Sequence, residues 1–377
     1  MFVYIGFMLL FKNFKHGPSF LKNQIAVILH FVKINKLSRG VYRVISDPEI
    51  LNKVKYLHFV GIGGSGMSGL AEILHSRGYQ ITGSDNNESD TLSHIKSLGI
   101  PVAMGHRAEN IGSAQLVIHT AAVHGDNPEL MEAKKRGIPV IDRSVLLGLI
   151  SLKYPDTIAV SGTHGKTTTT CMLTQILLTA GLDPTAVIGG KLPLIGSNSR
   201  IGDTDLMVCE ACEFVDSFLN LRPAVSIILN IDADHLDYFK TVDNLISHFK
   251  TFTTLTSRAL IYNGDDANTL AAVREYPLRK ITFGFGKEND YSARVRNDRK
   301  GLMSFDILQK GETFATVSLK VPGKHNILNA LAACAAAVEA GADVKAIERG
   351  LNEYAGAGRR FEVLGVINGV TIADDYA

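Results

Sequence analysis

An α/β protein with at least two mostly parallel sheets is predicted by three observations. Apolar strand-like runs alternate with helix-like segments along most of the chain. Two of those runs break at glycine-rich turns that lead straight into helices, and the 35 glycines suit a backbone that approaches phosphates at such turns. At 377 residues the chain exceeds one ordinary core, so two or three domains are expected. Its composition, 46% hydrophobic and 20% charged, is that of a globular chain, and a net charge of +2 argues against general nucleic-acid binding.

The first 52 residues are atypical. Apolar residues run from Met1 to Phe11, basic ones follow to Lys22, and a second apolar run spans residues 25–32. Lys12, Lys15, Lys22, Lys33, Lys36, Arg39 and Arg43 face no acid before residue 47, which leaves the remainder at −5 against the overall +2. Neither apolar run reaches the roughly 18 residues of a membrane span, so no integral span is expected. The pattern of a secretory signal is poorly matched as well. Two readings stand: a basic and apolar tether for a membrane surface, or upstream sequence that does not belong to the functional protein. The second is favoured.

Residues 53–152 read as one domain. Tyr56–Val60 is a buried-strand run, followed by Gly61-Ile-Gly63-Gly64-Ser65-Gly66-Met67-Ser68, a helix through Leu70, Ile73 and Leu74, a short strand near 79–82, and then Asp85. This Rossmann-like unit carries Gly61-x-Gly63-x-x-Gly66 at its first turn and an acid 19 residues beyond Gly66. Alone it suggests a nicotinamide dinucleotide. Physically it says that a diphosphate can approach the backbone and that an acid can meet a ribose or base. A strand at 116–119, a helix at 128–136, a strand at 139–141 and a helix at 146–151 continue the alternation to a boundary near 153.

Residues 153–355 form a second unit, of P-loop ATPase type. The strand-like run 157–160 enters Ser161-Gly162-Thr163-His164-Gly165-Lys166-Thr167-Thr168-Thr169-Thr170 and leaves it as a helix. Unpaired N–H groups, a helix dipole and the Lys166 charge make this a triphosphate cradle, with the Thr167 hydroxyl placed to ligate Mg²⁺. Val160 stands where the general P-loop has its first glycine, so the match is to a shorter form, Gly-x-x-Gly-Lys-Thr. A purely structural strand-to-helix turn is the other reading. The cradle is preferred because a lysine followed by four threonines has no evident folding purpose.

Strand-like runs at 205–210 and 225–230 end in acids, and strands of a parallel sheet put their carboxyl ends on the ligand rim. Glu210 with Thr167 would hold one Mg²⁺, which favours one or two carboxylates plus phosphates and water. His235, inside Asn-Ile-Asp-Ala-Asp-His-Leu-Asp just past a strand end, reads as functional. Glu213 and Asp216 read equally as site acids or solvated ones. Runs at 258–266 and 280–284 extend the sheet, residues 291–321 alternate like β-ribbon, and helices are expected at 326–340 and 345–354. Asn326 and Asn329 can read an adenine edge, with N-capping the alternative for Asn326. Arg360 can meet a γ-phosphate or form a surface salt bridge, and Asp375 can take ribose hydroxyls. Cys171, Cys209, Cys212 and Cys334 form no disulfide framework and fit a reducing cytoplasm. Cys209-x-x-Cys212 has no second pair to complete a zinc site and reads as structural.

In this order the motifs resemble the Mur ligases. They are Gly-Ile-Gly-Gly-Ser-Gly-Met-Ser, Gly-Thr-His-Gly-Lys-Thr-Thr-Thr-Thr, Glu-Ala-Cys-Glu-x-x-Asp-Ser-Phe-Leu, Asn-Ile-Asp-Ala-Asp-His-Leu-Asp, Pro-Gly-Lys-His-Asn-Ile-Leu-Asn, Gly-Ala-Gly-Arg-Arg-Phe-Glu and Asp-Asp-Tyr. The likeness runs from about residue 53 to residue 377. It implies ATP-dependent amide formation with Mg²⁺ in peptidoglycan precursor synthesis, with UDP-N-acetylmuramate and L-alanine as substrates and the cytoplasm as location. It replaces the nicotinamide reading. Gly64, Ser65, Gly66, Met67 and Ser68 would lie near the UDP diphosphate, and Asp85, His106 and Thr120 around the nucleotide. Gly162, Thr163, His164, Gly165, Lys166, Thr167, Thr168, Asn326, Asn329, Arg360 and Asp375 match the ATP contacts. Thr167, Glu210 and His235 match the metal positions, and Lys166, His235 and Arg360 the catalytic ones. Cys212 stands where many relatives have an acid. The family continues past Asp-Asp-Tyr into a third domain, so residues 356–377 would be its start and this chain, taken alone, would turn over little. A ligase attaching a peptide, or a fragment that binds UDP-sugar and ATP without catalysis, are the other readings. Oligomeric state is not legible.

Overall fold

Strand order, more than strand number, places the site in this protein. The structure is a computed structural model that describes residues 48–299, 302–358, 362–367 and 370–374. Arg360, Asp375 and the extension up to residue 47 lie outside the described residues. All the elements below lie within Glu49–Ala377.

A short helix, α1 (Ile50–Lys53), leads into β1 (Tyr56–Val60), α2 (Ser65–Ser76), β2 (Gln80–Asp85), α3 (Asp90–Ser97) and β3 (Val102–Met104). Then come β4 (Leu116–His119), α4 (Pro128–Lys135), β5 (Val140–Asp142) and α5 (Arg143–Ser151). Ile50 and Leu51 are buried, and the Tyr79 hydroxyl donates to the Leu51 carbonyl at 2.8 Å, so the end of the stretch read as extension packs with this first sheet. The five strands are parallel, in the order β3-β2-β1-β4-β5. Chain direction across the sheet reverses between β1 and β4, and that switch point opens a crevice at the carboxyl end of β1, where the first glycine-rich turn lies. β1 is buried from Leu57 to Val60, as a strand covered on both faces must be.

The second sheet has ten strands in the order β15-β14-β13-β12-β11-β10-β6-β9-β7-β8. Its centre is β6 (Asp156–Ser161), paired in parallel with β9 (Leu206–Glu210) on one side and β10 (Val225–Ile228) on the other. The switch point is therefore at β6, and the phosphate loop hangs from its carboxyl end into α6 (Lys166–Thr179). β7 (Thr185–Leu192) and β8 (Ser197–Arg200) form a hairpin on one edge. β11 (Ala259–Asn263) and β12 (Arg279–Phe283) extend the parallel part. β13 (Tyr291–Arg299), β14 (Leu302–Gln309) and β15 (Glu312–Pro322) close the other edge antiparallel. α7 (Leu236–Phe239), α8 (Val242–Thr253) and α9 (Ala267–Val273) fall between the strands, and α10 (His325–Glu339) and α11 (Val344–Glu353) follow them. A two-stranded piece, β16 (Glu362–Ile367) with β17 (Val370–Asp374), ends the described chain.

The core of this sheet explains the threonines. α6 lies among the sheet, α10 and α11, and is buried on nearly every side from Thr167 to Leu177. Thr169, Thr170 and Thr174 are fully buried; the Thr170 hydroxyl donates to the Lys166 carbonyl at 2.8 Å, while those of Thr169 and Thr174 have no partner. The expectation that the threonine run has no folding purpose is thus corrected. Small β-branched residues let α10, whose Ala330, Ala332, Ala333 and Ala335–Ala337 are buried, pack closely.

Candidate active site: two phosphate cradles

The loop after β6 is built by its neighbour strand. Asn230 holds it at both faces: its carbonyl accepts from Thr163 N at 3.0 Å, its Oδ1 from His164 N at 2.8 Å, and its Nδ2 donates to the His164 carbonyl at 3.0 Å. Asp232 N donates to Thr163 Oγ1 at 2.9 Å. Gly165 turns the chain into α6 at φ +88°, and a Cβ there would stand 2.4 Å from Asn329 Oδ1. Both the backbone and the space demand glycine. Gly165→Ala is therefore expected to lower stability by about 1–2 kcal/mol and to weaken ATP binding, read by thermal melting and calorimetric titration; unchanged values for both would refute this account of the turn.

Lys166 spans the loop. Its Nζ donates to the carbonyls of Gly162 at 2.6 Å and Thr163 at 3.1 Å, and lies 2.9 and 3.1 Å from the two carboxylate oxygens of Glu213. Glu213 is 1% exposed, so the residue that the sequence left undecided is a buried counter-ion. Asp216 is also engaged: it accepts from the Tyr238 hydroxyl at 2.7 Å and meets His248 Nδ1.

Glu210 and Thr167 lie against two successive glycines of β7, Gly189 and Gly190 respectively. Glu210 Oε1 accepts from Gly189 N at 2.5 Å, and a Cβ on Gly190 would stand 3.0 Å from Thr167 Cγ2. His235 takes a different wall, its ring 4.7 Å from that of Phe214 and its Nε2 3.8 Å from Asp234 Oδ2. Backbone strain gathers on this wall: Val215, Asp216, His235 and Lys240 all have φ between +50° and +70°. For a β-branched residue such as Val215 this is a costly state, and such strain persists where the surrounding structure enforces it. Among the described residues no three His, Cys, Asp or Glu side chains converge as a metal cage. Glu210 with one hydroxyl instead fits Mg²⁺, which keeps waters and phosphates as its other ligands.

Asn326 and Asn329 lie in the first turns of α10, beside Gly165. Asn326 does not cap this helix. The N-cap is Lys324, while Asn326 Nδ2 donates to the Pro322 carbonyl at 2.7 Å and its Oδ1 accepts from Asn329 Nδ2 at 2.9 Å. Both are nearly buried. His164 is exposed, with its Nε2 4.0 Å from Asp232 Oδ2, and Thr168 is half-buried. Cys209 is wholly buried at the end of β9, and burial together with the Glu210 charge pushes its thiol up to about 12, in line with the structural reading.

The first-sheet cradle has a similar logic. Gly61 N and Ile62 N donate to the Ser84 carbonyl, and Gly63 N donates to Asp85 Oδ2 at 2.8 Å, so Asp85 braces the glycine turn itself. Gly64 and Ser65 are exposed at the start of α2, whereas Met67 and Ser68 are buried and their N–H groups donate to the Gly64 carbonyl at 2.8 and 3.0 Å. Thr120 Cγ2 lies 3.2 Å from the Cβ position of Gly61. His106 stands on the same rim, half-buried, 3.0 Å from Ser84 Oγ. Arg143, at the start of α5, lies against Gly66, its Cδ 3.0 Å from the Cβ position there. The sequence does not mark it, because an arginine at a helix start has no signature.

One element reaches both cradles. The β7–β8 hairpin carries Gly189 and Gly190 against Glu210 and Thr167, while Asn198 Nδ2 donates to the Ser65 carbonyl and Ser199 packs on Gly69 of α2. A side chain at position 69 would collide with Ser199 Cβ at 2.6 Å.

One parallel sheet and one mixed sheet, each with a glycine-rich turn at its switch point and bridged by one hairpin, define a two-sheet α/β protein with two candidate phosphate cradles. Comparison with known proteins agrees: residues 56–154 match the Mur ligase family catalytic domain and residues 160–337 the Mur ligase middle domain. The UDP-N-acetylmuramate–L-alanine ligase of Acetivibrio thermocellus is 46% identical over 337 residues, covering 88% of this chain and 71% of that protein. That of Caldanaerobacter subterraneus subsp. tengcongensis is 44% identical over 330 residues, with 87% and 72% covered. Among solved structures, the UDP-N-acetylmuramate–alanine ligase of Thermotoga maritima superposes with a TM-score of 0.75 at 31% identity, over 85% of this chain and 74% of that one. The UDP-N-acetylmuramate:L-alanyl-γ-D-glutamyl-meso-diaminopimelate ligase of Neisseria meningitides gives 0.72 at 26% identity, over 81% and 100%. The chain belongs to the Mur ligase family.

Proposed function

We propose that this chain is an ATP-dependent ligase that joins L-alanine to the carboxylate of UDP-N-acetylmuramate in peptidoglycan precursor synthesis in the cytoplasm. The observation that carries this reading is the 42–47% identity to eight relatives that bear that activity in their names, against 26% to the peptide-adding ligase. Among the described residues no helix is long and apolar enough to cross a membrane.

A carboxylate does not condense with an amine at neutral pH, because its oxygen is a poor leaving group. In the proposed reaction a muramyl carboxylate oxygen attacks the γ-phosphorus of ATP and ADP leaves. The amine of L-alanine then attacks the acyl carbon, loses a proton, and expels inorganic phosphate as the amide forms. Gly64, Ser65 and Gly66 present the diphosphate end of the UDP-sugar, with Arg143 beside them, and Asp85, His106 and Thr120 surround the nucleotide. Lys166 meets the charge of the ATP phosphates, the loop N–H groups orient them, and Asn326 and Asn329 back the loop. Arg360 and Asp375 are assigned to the γ-phosphate and ribose. Mg²⁺, when bound, neutralises charge on the transferring phosphoryl group; Thr167 and Glu210 would hold one ion, and His235 a second near the acyl group.

Phosphate release with ATP and UDP-N-acetylmuramate, compared between L-alanine and the L-alanyl-γ-D-glutamyl-meso-diaminopimelate tripeptide, tests the reading. L-Alanine should be preferred by at least about tenfold. Preference for the tripeptide would move the chain to the peptide-adding branch. Turnover with neither, while both nucleotides bind, would make it a binding module.

A further inference from the structure

Glu129, on α4, is fully buried beneath the rim of the first sheet and meets donors on both oxygens. Its Oε1 accepts from Asn110 Nδ2 at 2.5 Å and from Arg107 N at 3.4 Å. Its Oε2 accepts from Ser84 Oγ at 2.6 Å, lies 3.2 Å from His106 Nδ1, and is approached by His58 Nε2 at 3.6 Å, too far for a hydrogen bond. His58 is itself fully buried, with Nδ1 2.8 Å from Thr82 Oγ1 and Nε2 unpartnered. Burial opposes the charge on Glu129, but the groups converging from His58, Ser84 and Asn110 outweigh it and hold the carboxyl at about 2. At neutral pH both oxygens therefore only accept.

The proton count on His106 follows. Ser84 has one hydroxyl proton, and it is directed to Glu129. The two groups facing His106 Nδ1, Ser84 Oγ and Glu129 Oε2, are then both acceptors, so Nδ1 must carry the proton. A neutral imidazole with Nδ1–H has a bare lone pair on Nε2.

We propose that Glu129 is a positioning residue that fixes His106 as its Nδ1–H tautomer, leaving Nε2 as an acceptor for a hydrogen-bond donor on the bound nucleoside. The second half rests on the reading that this rim holds the nucleotide of a UDP-sugar. A donor-bearing nucleoside edge is bound well by such an acceptor, and an acceptor edge is rejected because two lone pairs are left facing each other.

The experiment has two arms. Long-range ¹H–¹⁵N spectra of histidine-labelled protein, with the His106 signals assigned by their loss in His106→Ala, report the tautomer without any ligand. Calorimetric titration with UDP reports the acceptor role. The wild-type protein should show protonated Nδ1 and bare Nε2. Glu129→Gln should shift His106 toward the other tautomer and weaken UDP about tenfold, as the loss of one well-formed polar contact does. Ser84→Ala should keep the tautomer, because Nδ1 still donates to Glu129, and it keeps the proposal testable if Glu129→Gln does not fold. Protonated Nε2 in the wild type, or a tautomer indifferent to Glu129→Gln, would overturn the role of Glu129. The expected tautomer together with UDP affinity unchanged in His106→Ala, or with no UDP binding at all, would overturn the nucleotide reading of the rim and leave the Glu129 arrangement intact.

Discussion

Lys166→Met will cut ATP-dependent phosphate release by about 10³-fold or more, because the loop then offers the phosphates N–H dipoles but no full charge. Methionine keeps most of the side-chain volume, so the loss is electrostatic. The ion pair adds a second effect. With Lys166 gone, Glu213 is left 1% exposed with no cation at 2.9 Å, and stranding one member of a buried pair costs about 3–5 kcal/mol. The single variant should therefore melt earlier as well. Lys166→Met/Glu213→Gln separates the two effects: stability should recover while ATP binding and turnover stay lost. Recovery of turnover in the double variant would show that Lys166 serves Glu213 and not the phosphates.

His235→Asn should abolish ligation, by at least about 10²-fold, while UDP-N-acetylmuramate still binds. Asparagine is the useful replacement because it tolerates the left-handed backbone that His235 adopts at φ +51°, so folding is spared and the imidazole alone is removed. Direct titration with the UDP-sugar checks binding, and phosphate release checks turnover. Full turnover in the variant would refute a role for the side chain. Its ring packs against that of Phe214, which precedes strained Val215 and Asp216 in the chain, and Asp216 is held by Tyr238 and His248.

The glycine turns were readable because special backbone geometry leaves its mark in residue type. Gly165 at φ +88° against Asn329 can be nothing else, and the strands leading into both turns are continuous apolar runs. The end of an apolar run marks Glu210, which closes β9. Burial of acids is not written locally. Nothing near Glu213 or Glu129 in the sequence says that one faces Lys166 and the other two histidines, since each partner lies more than 20 residues away. The β7–β8 hairpin is not legible in the sequence because Gly189, Gly190, Pro193 and Gly196 interrupt its alternation, yet it is the element that joins the cradles. The threonines after Lys166 misled in the other direction. Thr167 belongs to the cradle, but Thr169 and Thr170 serve the helix packing behind it.

The proposed function requires that the molecules held at the two cradles react with each other at a carboxylate. Turnover with UDP-N-acetylmuramate carrying ¹⁸O in its muramyl carboxylate, in the presence of ATP and L-alanine, tests this directly. Mass analysis should find one ¹⁸O in each inorganic phosphate released, the oxygen having passed from carboxylate to phosphorus and stayed there when the amine displaced it. Unlabelled phosphate accompanying amide formation would contradict the account.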